Sequence, residues 1–179
     1  MTTPSLFALV SRYHRHMDEL ILLHQEALLL QQTDLAERFL ALFRAMISAH
    51  IDAENTWLLP RLDALVQARW PALLYRKEHD KILDMLTNVD AKMRLLEGKT
   101  AQDYRRTVLA LLDYERAFKN VVEHHEEREE MAMLRELDQH ADAAEVQQLA
   151  LTLEQAWHPL LQTQEAMLPA LITELHAFG

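Results

Sequence analysis

Along almost the whole chain, apolar residues recur at the three- and four-residue spacing of a helix that is buried on one side. The clearest run is Tyr75, His79, Ile82, Leu86, Val89, Met93 and Leu96, which predicts a helix with one stripe turned inward. Leu6, Val10, His14, Met17 and Ile21 form a similar stripe, so His14 is expected to face a core and His16, about 200° further round, to face water. Two further stripes match each other: Phe43, Met46, Ile47, His50, Glu54 and Trp57 in one, and Phe118, Val121, Val122, His125 and Glu129 in the other.

Helix start signals at Thr3 with Pro4, Thr33 or Asp34 with Glu37, Trp70 with Pro71, Thr100 with Asp103, and Asp142 with Glu145 divide the chain into about five helices. They are expected at 4–31, 34–59 with a continuation past Pro60, 71–97 ending at Gly98, 101–137, and 142–177, the last interrupted by Pro159 and Pro169. Four long helices with short connections predict an all-α, up-down-up-down four-helix bundle over about 4–137. The match between the second and fourth helices predicts a pseudo-twofold relation between two hairpins. Residues from about 142 to 177 are then a helical appendage, apolar enough to pack on the bundle or against a second copy in a homodimer.

Composition narrows the class. With 179 residues, half of them hydrophobic, the chain suits a single domain, and only two glycines disfavour a fold rich in tight turns. The absence of cysteine removes disulfides, thiolate ligands and thiol catalysis. A formal net charge of -10 disfavours nucleic acid and anionic membrane surfaces as partners. The first residues carry neither a secretory leader nor a span long enough for a bilayer, so a cytoplasmic location is expected.

The polar residues on the inward stripes need a separate reason. A single inward histidine is ordinarily a satisfied core residue. Burying Glu54 and Glu129 in an apolar bundle costs several kcal/mol each unless a positive group compensates, and no lysine or arginine shares their stripes. A metal would supply that charge. Residues four apart project from one helix face, so His50 with Glu54 and His125 with Glu129 can each offer a nitrogen and a carboxylate to a common point. His14 and His79 complete four imidazoles and two carboxylates, enough for two ions bridged by the glutamates, and mixed nitrogen and oxygen donors favour iron over manganese or zinc.

Among the other polar residues, His24 is expected in the core with a hydrogen bond to a neighbouring helix, and His124 at the rim. Surface positions are expected for His16, His140, His158 and His176, a rim position for Asp18, and solvated positions for Glu126, Glu127, Arg128 and Glu130. Tyr13 and Tyr75 are close enough to the proposed ligands to donate to a bound species, or simply to pack.

These residues resemble the hemerythrin-like family, the HHE cation-binding domain, from His14 to Leu134. Its repeated signature is a histidine, three residues, two acidic residues, then apolar residues and a proline. His50, Glu54, Asn55, Leu58, Leu59 and Pro60 are similar to one copy, and His125, Glu129, Glu130, Met133 and Leu134 to the other, with Asn55 and Arg135 departing from the pattern. The resemblance implies a four-helix bundle with a non-haem diiron site, two iron ions with an oxo or hydroxo bridge. Its ligands would be His14, His50, His79 and His125, with Glu54 and Glu129 bridging.

The segment SRYHRH also resembles the first helix of di-iron proteins that repair iron–sulfur clusters. Oxygen-carrying hemerythrins have a fifth histidine where this chain has Leu83, which disfavours reversible oxygen carriage. The function implied is binding of, or reaction with, oxygen, nitric oxide or peroxide in sensing or stress response. Iron donation or iron–sulfur repair, and a metal-stapled regulatory or structural bundle, are the alternatives.

Overall fold

The computed structural model describes residues 5–65 and 68–177. The chain is all-helical, with no strand among the described residues. Helix α1 spans Leu6–Leu29, α2 Thr33–Ala53, α3 Leu59–Ala64, α4 Ala72–Met93, α5 Ala101–Arg128, α6 Leu134–His140 and α7 Ala143–His176. Five-residue π-helical turns, Glu54–Leu58 and Glu129–Met133, join α2 to α3 and α5 to α6 without a break, so the chain runs as five long helical stretches.

The expected Thr3–Pro4 start lies outside the described residues, and α1 is capped by Ser5, whose Oγ accepts from the Ala8 N–H at 3.2 Å. Two later caps sit where the sequence places them. Thr100 Oγ1 accepts from the Asp103 N–H at 3.3 Å, and Asp142 accepts from Ala144 and Glu145 at 2.9 and 3.3 Å. The α1–α2 corner turns through Gln31, which takes a left-handed φ of 61°, and Gly98, φ 65°, makes the turn after α4.

α1 packs on α2 and α4 on α5, while α1 also meets α5 and α2 meets α4. The inward stripes meet in one apolar core, illustrated by Phe43 and Phe118, edge to face across α2 and α5 with ring centres 5.8 Å apart. Away from the matched motifs, fully buried His24 ties three helices together. Its Nδ1–H donates to the Ala36 carbonyl at 2.8 Å, and its Nε2 pairs with Glu115 Oε1 at 2.8 Å.

The last helix differs from expectation, because α7 is continuous through Pro159 and Pro169. Each proline frees the carbonyl four residues earlier, Gln155 and Glu165, and those residues are exposed, so water can satisfy what the helix cannot. α7 lies against α2 and α1 and seats Trp157 at 0% exposure. Among the described residues, no helix is long and apolar enough to cross a membrane.

Candidate metal centre

Four helical stretches each deliver one imidazole to the same buried point: His14 from α1, His50 from α2, His79 from α4 and His125 from α5. Glu54 and Glu129 come from the two π turns, and all six side chains are between 0% and 3% exposed. Thus the six residues singled out in the sequence converge. The donor atoms of His50, Glu54, His125 and Glu129 lie within 4.8 Å of one another, and His14 and His79 flank this inner group.

Each π turn starts at the glutamate itself. The Leu59 N–H bonds to the Glu54 carbonyl, and the Leu134 N–H to that of Glu129, five residues back rather than four. The cause is readable in the spacing. Buried Leu58, Leu59 and Leu62 stand 4, 5 and 8 residues after Glu54, and buried Met133, Leu134 and Leu137 stand at the same offsets after Glu129. A regular helix would place that face at about 3, 4 and 7. One residue must therefore be absorbed for both the glutamate and the following apolar face to point inward. Pro60 is not needed for this, since Arg135 occupies the matching place in the second copy. The same shift corrects the expectation for Trp57, which is only half-buried while Leu58 and Leu59 fill the core.

The carboxylate oxygens are divided between two pairs of imidazoles. Glu54 Oε2 is 3.1 Å from His79 Nε2 and 3.9 Å from His125 Nε2, and Glu129 Oε1 is 2.5 Å from His125 Nε2. On the other side, Glu129 Oε2 is 3.1 Å from His14 Nε2 and 3.4 Å from His50 Nε2, and Glu54 Oε1 is 3.7 Å from His50 Nε2. Despite these separations, His14 Nε2, His50 Nε2, Glu54 Oε1 and both oxygens of Glu129 are buried without a properly aligned hydrogen bond. They crowd together at the centre of the cluster with their hydrogen-bonding capacity unmet.

Outside this cluster, a ring of acceptors fixes the imidazoles. The Nδ1–H of His14 donates to Glu130 Oε1 at 2.9 Å, that of His79 to Asn55 Oδ1 at 3.1 Å, and that of His125 to Glu78 Oε2 at 3.1 Å. Arg128 pairs with the other oxygen of Glu78. With Nδ1 donating outward, Nε2 presents its lone pair to the centre. As a result, His79 Nε2 and His125 Nε2 stand 3.1 Å apart, a contact that needs a cation or a proton between two lone pairs. Neither nitrogen of His50 has a hydrogen-bond partner; its ring lies over Tyr13, which in turn stacks on Trp157 with centres 4.2 Å apart.

Charge follows this layout. Burial alone would lower the His14 pKa, but the Glu129 and Glu130 carboxylates outweigh it and lift it to about 10. His125 is likewise raised against burial by Glu129 and Glu54. Burial would raise the Glu129 carboxyl, yet His125 and His50 hold it well below the usual range. For Glu126 burial dominates and pushes it up to about 8, because the lowering effect of His14 and His125 is opposed by Asp18 and Glu129.

Several neighbours differ from expectation. Glu126 is buried, at 7% exposure, rather than solvated, and Glu130 is drawn partly inward by His14. The outer role of Glu78 and the wall formed by Trp157 have no signal in the sequence, because they depend on how separate helices meet. Asn55 and Glu130 do share one: each directly follows a cluster glutamate and bonds a histidine of another helix. Both tyrosine hydroxyls donate to main-chain carbonyls, Tyr13 to Met46 at 3.2 Å and Tyr75 to Arg128 at 3.5 Å, which favours the packing role. His124 is exposed beside Glu127, and His140, His158 and His176 are exposed as expected, while His16 is half-buried and outside the cluster. Comparisons of the chain with protein-family models, with curated proteins and with solved structures find no match.

Proposed function

We propose that the cluster is a dinuclear, non-haem iron centre in a hemerythrin-like four-helix bundle made by α1, α2, α4 and α5, acting on a small ligand such as oxygen, nitric oxide or peroxide in sensing or stress response. The observation that carries this reading is the division of the four carboxylate oxygens between the His14/His50 and His79/His125 pairs. Two nitrogens and two shared oxygens on each side suit two ions better than one, and leave coordination positions free. The orphaned buried atoms on both sides favour cations over a network closed by protons alone.

His14, His50, His79, His125, Glu54 and Glu129 would hold two ferrous ions, which would supply electrons to a small ligand. The protein's own part is placement and shielding. Glu54 and Glu129 span both positions; Glu130, Asn55 and Glu78 lock three imidazoles in the tautomer that presents Nε2 inward. Tyr13 and Trp157 wall the His50 side with apolar surface and limit water. Leu83, at the place of the oxygen carriers' additional histidine, is 37% exposed and offers no ligand, which favours a reaction or a signal over reversible carriage.

Metal analysis of protein produced with iron, together with the optical spectrum of the anaerobically reduced protein before and after air or nitric oxide, tests the proposal. About two irons per chain and a spectrum that changes with the gas are expected. A single, tightly held zinc would refute the dinuclear centre. Spectra indifferent to oxygen, nitric oxide and peroxide would reduce the metal to a staple of the bundle.

A further inference from the structure

Between α1 and α5, beside His14, lies a groove of about 410 Å³. Its charged lining comprises the carboxylates of Asp18, Glu123, Glu126, Glu127 and Glu130, against the single guanidinium of Arg15. His14 is itself part of the wall, so the groove connects the surface with one half of the cluster. Asp18, Glu123 and Glu127 are exposed, whereas Glu126 is 7% exposed and its Oε1 has no hydrogen-bond partner.

That unpartnered oxygen is informative, because the bases around it are already committed. His14 directs Nδ1 to Glu130 and Nε2 toward Glu129. Glu126 also follows His125 by one residue, about 100° round the helix from the face that carries His125 and Glu129, so it borders the cluster without joining it. The exposed carboxylates of the cleft draw a cation in, with low-dielectric walls concentrating the field, and the unpartnered Glu126 oxygen is the first buried ligand it meets, the arriving ion displacing the proton that Glu126 otherwise holds.

We infer that this groove is the route by which divalent cations reach the His14/His50 position, with Glu126 as a transient ligand between the Asp18 and Glu123 mouth and His14. The inference rests on the metal-centre reading proposed above and adds a direction to it: the His14/His50 position is filled from solvent through this groove. The residues suit hard, oxygen-accepting cations such as ferrous iron or manganese in transit, and the same field turns small anions away.

The test uses the full chain, stripped with a chelator and mixed with Co²⁺, whose visible absorption reports arrival at nitrogen and oxygen ligands. Wild-type protein is expected to load at a rate that falls steeply with salt. Glu126→Gln, which preserves shape and removes the carboxyl that can exchange its proton for the cation, is expected to load about tenfold more slowly and to reach the same final content. The double variant Asp18→Asn with Glu123→Gln, both at exposed positions that folding does not need, is expected to lose much of the salt dependence. Remote Glu37→Gln should load as wild type.

Equal rates in wild type, Glu126→Gln and the double variant would overturn the route. A lower final content in Glu126→Gln at an unchanged rate would also overturn it, making Glu126 a resident ligand. If wild-type protein itself takes up no Co²⁺, the metal centre fails first and the route falls with it, an outcome distinct from the other two.

Discussion

Glu54 and Glu127 show how much burial decides what a glutamate can do. Glu54 is fully buried among imidazoles, whereas Glu127 is exposed one turn from a histidine and pairs loosely with His124. Replacing Glu54 or Glu129 by alanine is expected to abolish stoichiometric iron retention through desalting, while Glu127→Ala retains it; equal losses would refute the inward assignment. Asn55→Leu, which removes the acceptor of His79 Nδ1–H, is expected to weaken metal binding about 10–100-fold in a chelator competition. The inner six residues were legible in the sequence because helical spacing alone sets which face a side chain shares. The outer ring was not, since Glu78, Asn55 and Glu130 act on histidines of other helices and sit one residue off the inward stripe. Glu126 misled for the same reason: about 100° from the core face reads as solvated until a neighbouring helix covers it.

The elements were legible to the extent that their punctuation is local. Thr100 and Asp142 cap helices as their residue types predict, but two features escaped. Prolines within α7 signal a break only where the freed carbonyls would be buried, and here they face water. The π turns leave no mark on a uniform helical period and show only in the apolar offsets of 4, 5 and 8 after each glutamate, which require one absorbed residue. This makes the turn a place where the chain can lose a residue. Deleting exposed Met131 from the second turn brings Met133, Leu134 and Leu137 to offsets of about 3, 4 and 7 from Glu129, the ordinary helical face. That variant is expected to keep nearly full helical content and cooperative melting. Deleting exposed Asp113, in the regular part of α5, rotates Phe118, Val122, His125 and Glu129 by about 100° relative to the first part of the helix, and is expected to unfold the chain. Far-ultraviolet dichroism and thermal melts of the two deletions compare them directly. Similar damage from both would mean that the turns absorb nothing.

For the molecule as a whole, the cluster poses a question of charge that protons and metal ions answer differently. Without metal, His14 and His125 hold protons that offset Glu129 and Glu54. The folded pKa of His14, about 10 against an ordinary 6.5, means that its contribution is complete below 6.5 and is lost as pH rises toward 10. Glu126 acts in the same direction: the folded chain keeps a proton that the unfolded chain releases above 4.5, so stability falls as pH climbs through about 8. Glu129, depressed well below 4.5, adds stability above 4.5 that disappears only in stronger acid. Metal-free protein should therefore be most stable at about pH 5, where Glu129 is ionised while Glu126 and His14 hold their protons, and weaken progressively as pH rises from there. Metal binding has the opposite dependence, because each ion must displace protons from the imidazoles, so affinity rises with pH. An ion present at a thousand times its Kd adds about 4 kcal/mol, on the order of 10 °C in Tm for a chain of this size. The Tm difference between iron-loaded and chelator-stripped protein should accordingly be small near pH 6 and widen toward pH 9, with helical dichroism retained in the stripped form at pH 6. A difference that stays constant across this range would show that the histidines carry no protons for the metal to displace. Loss of helix at pH 6 on chelation would show that imidazolium and carboxylate cannot hold the centre together.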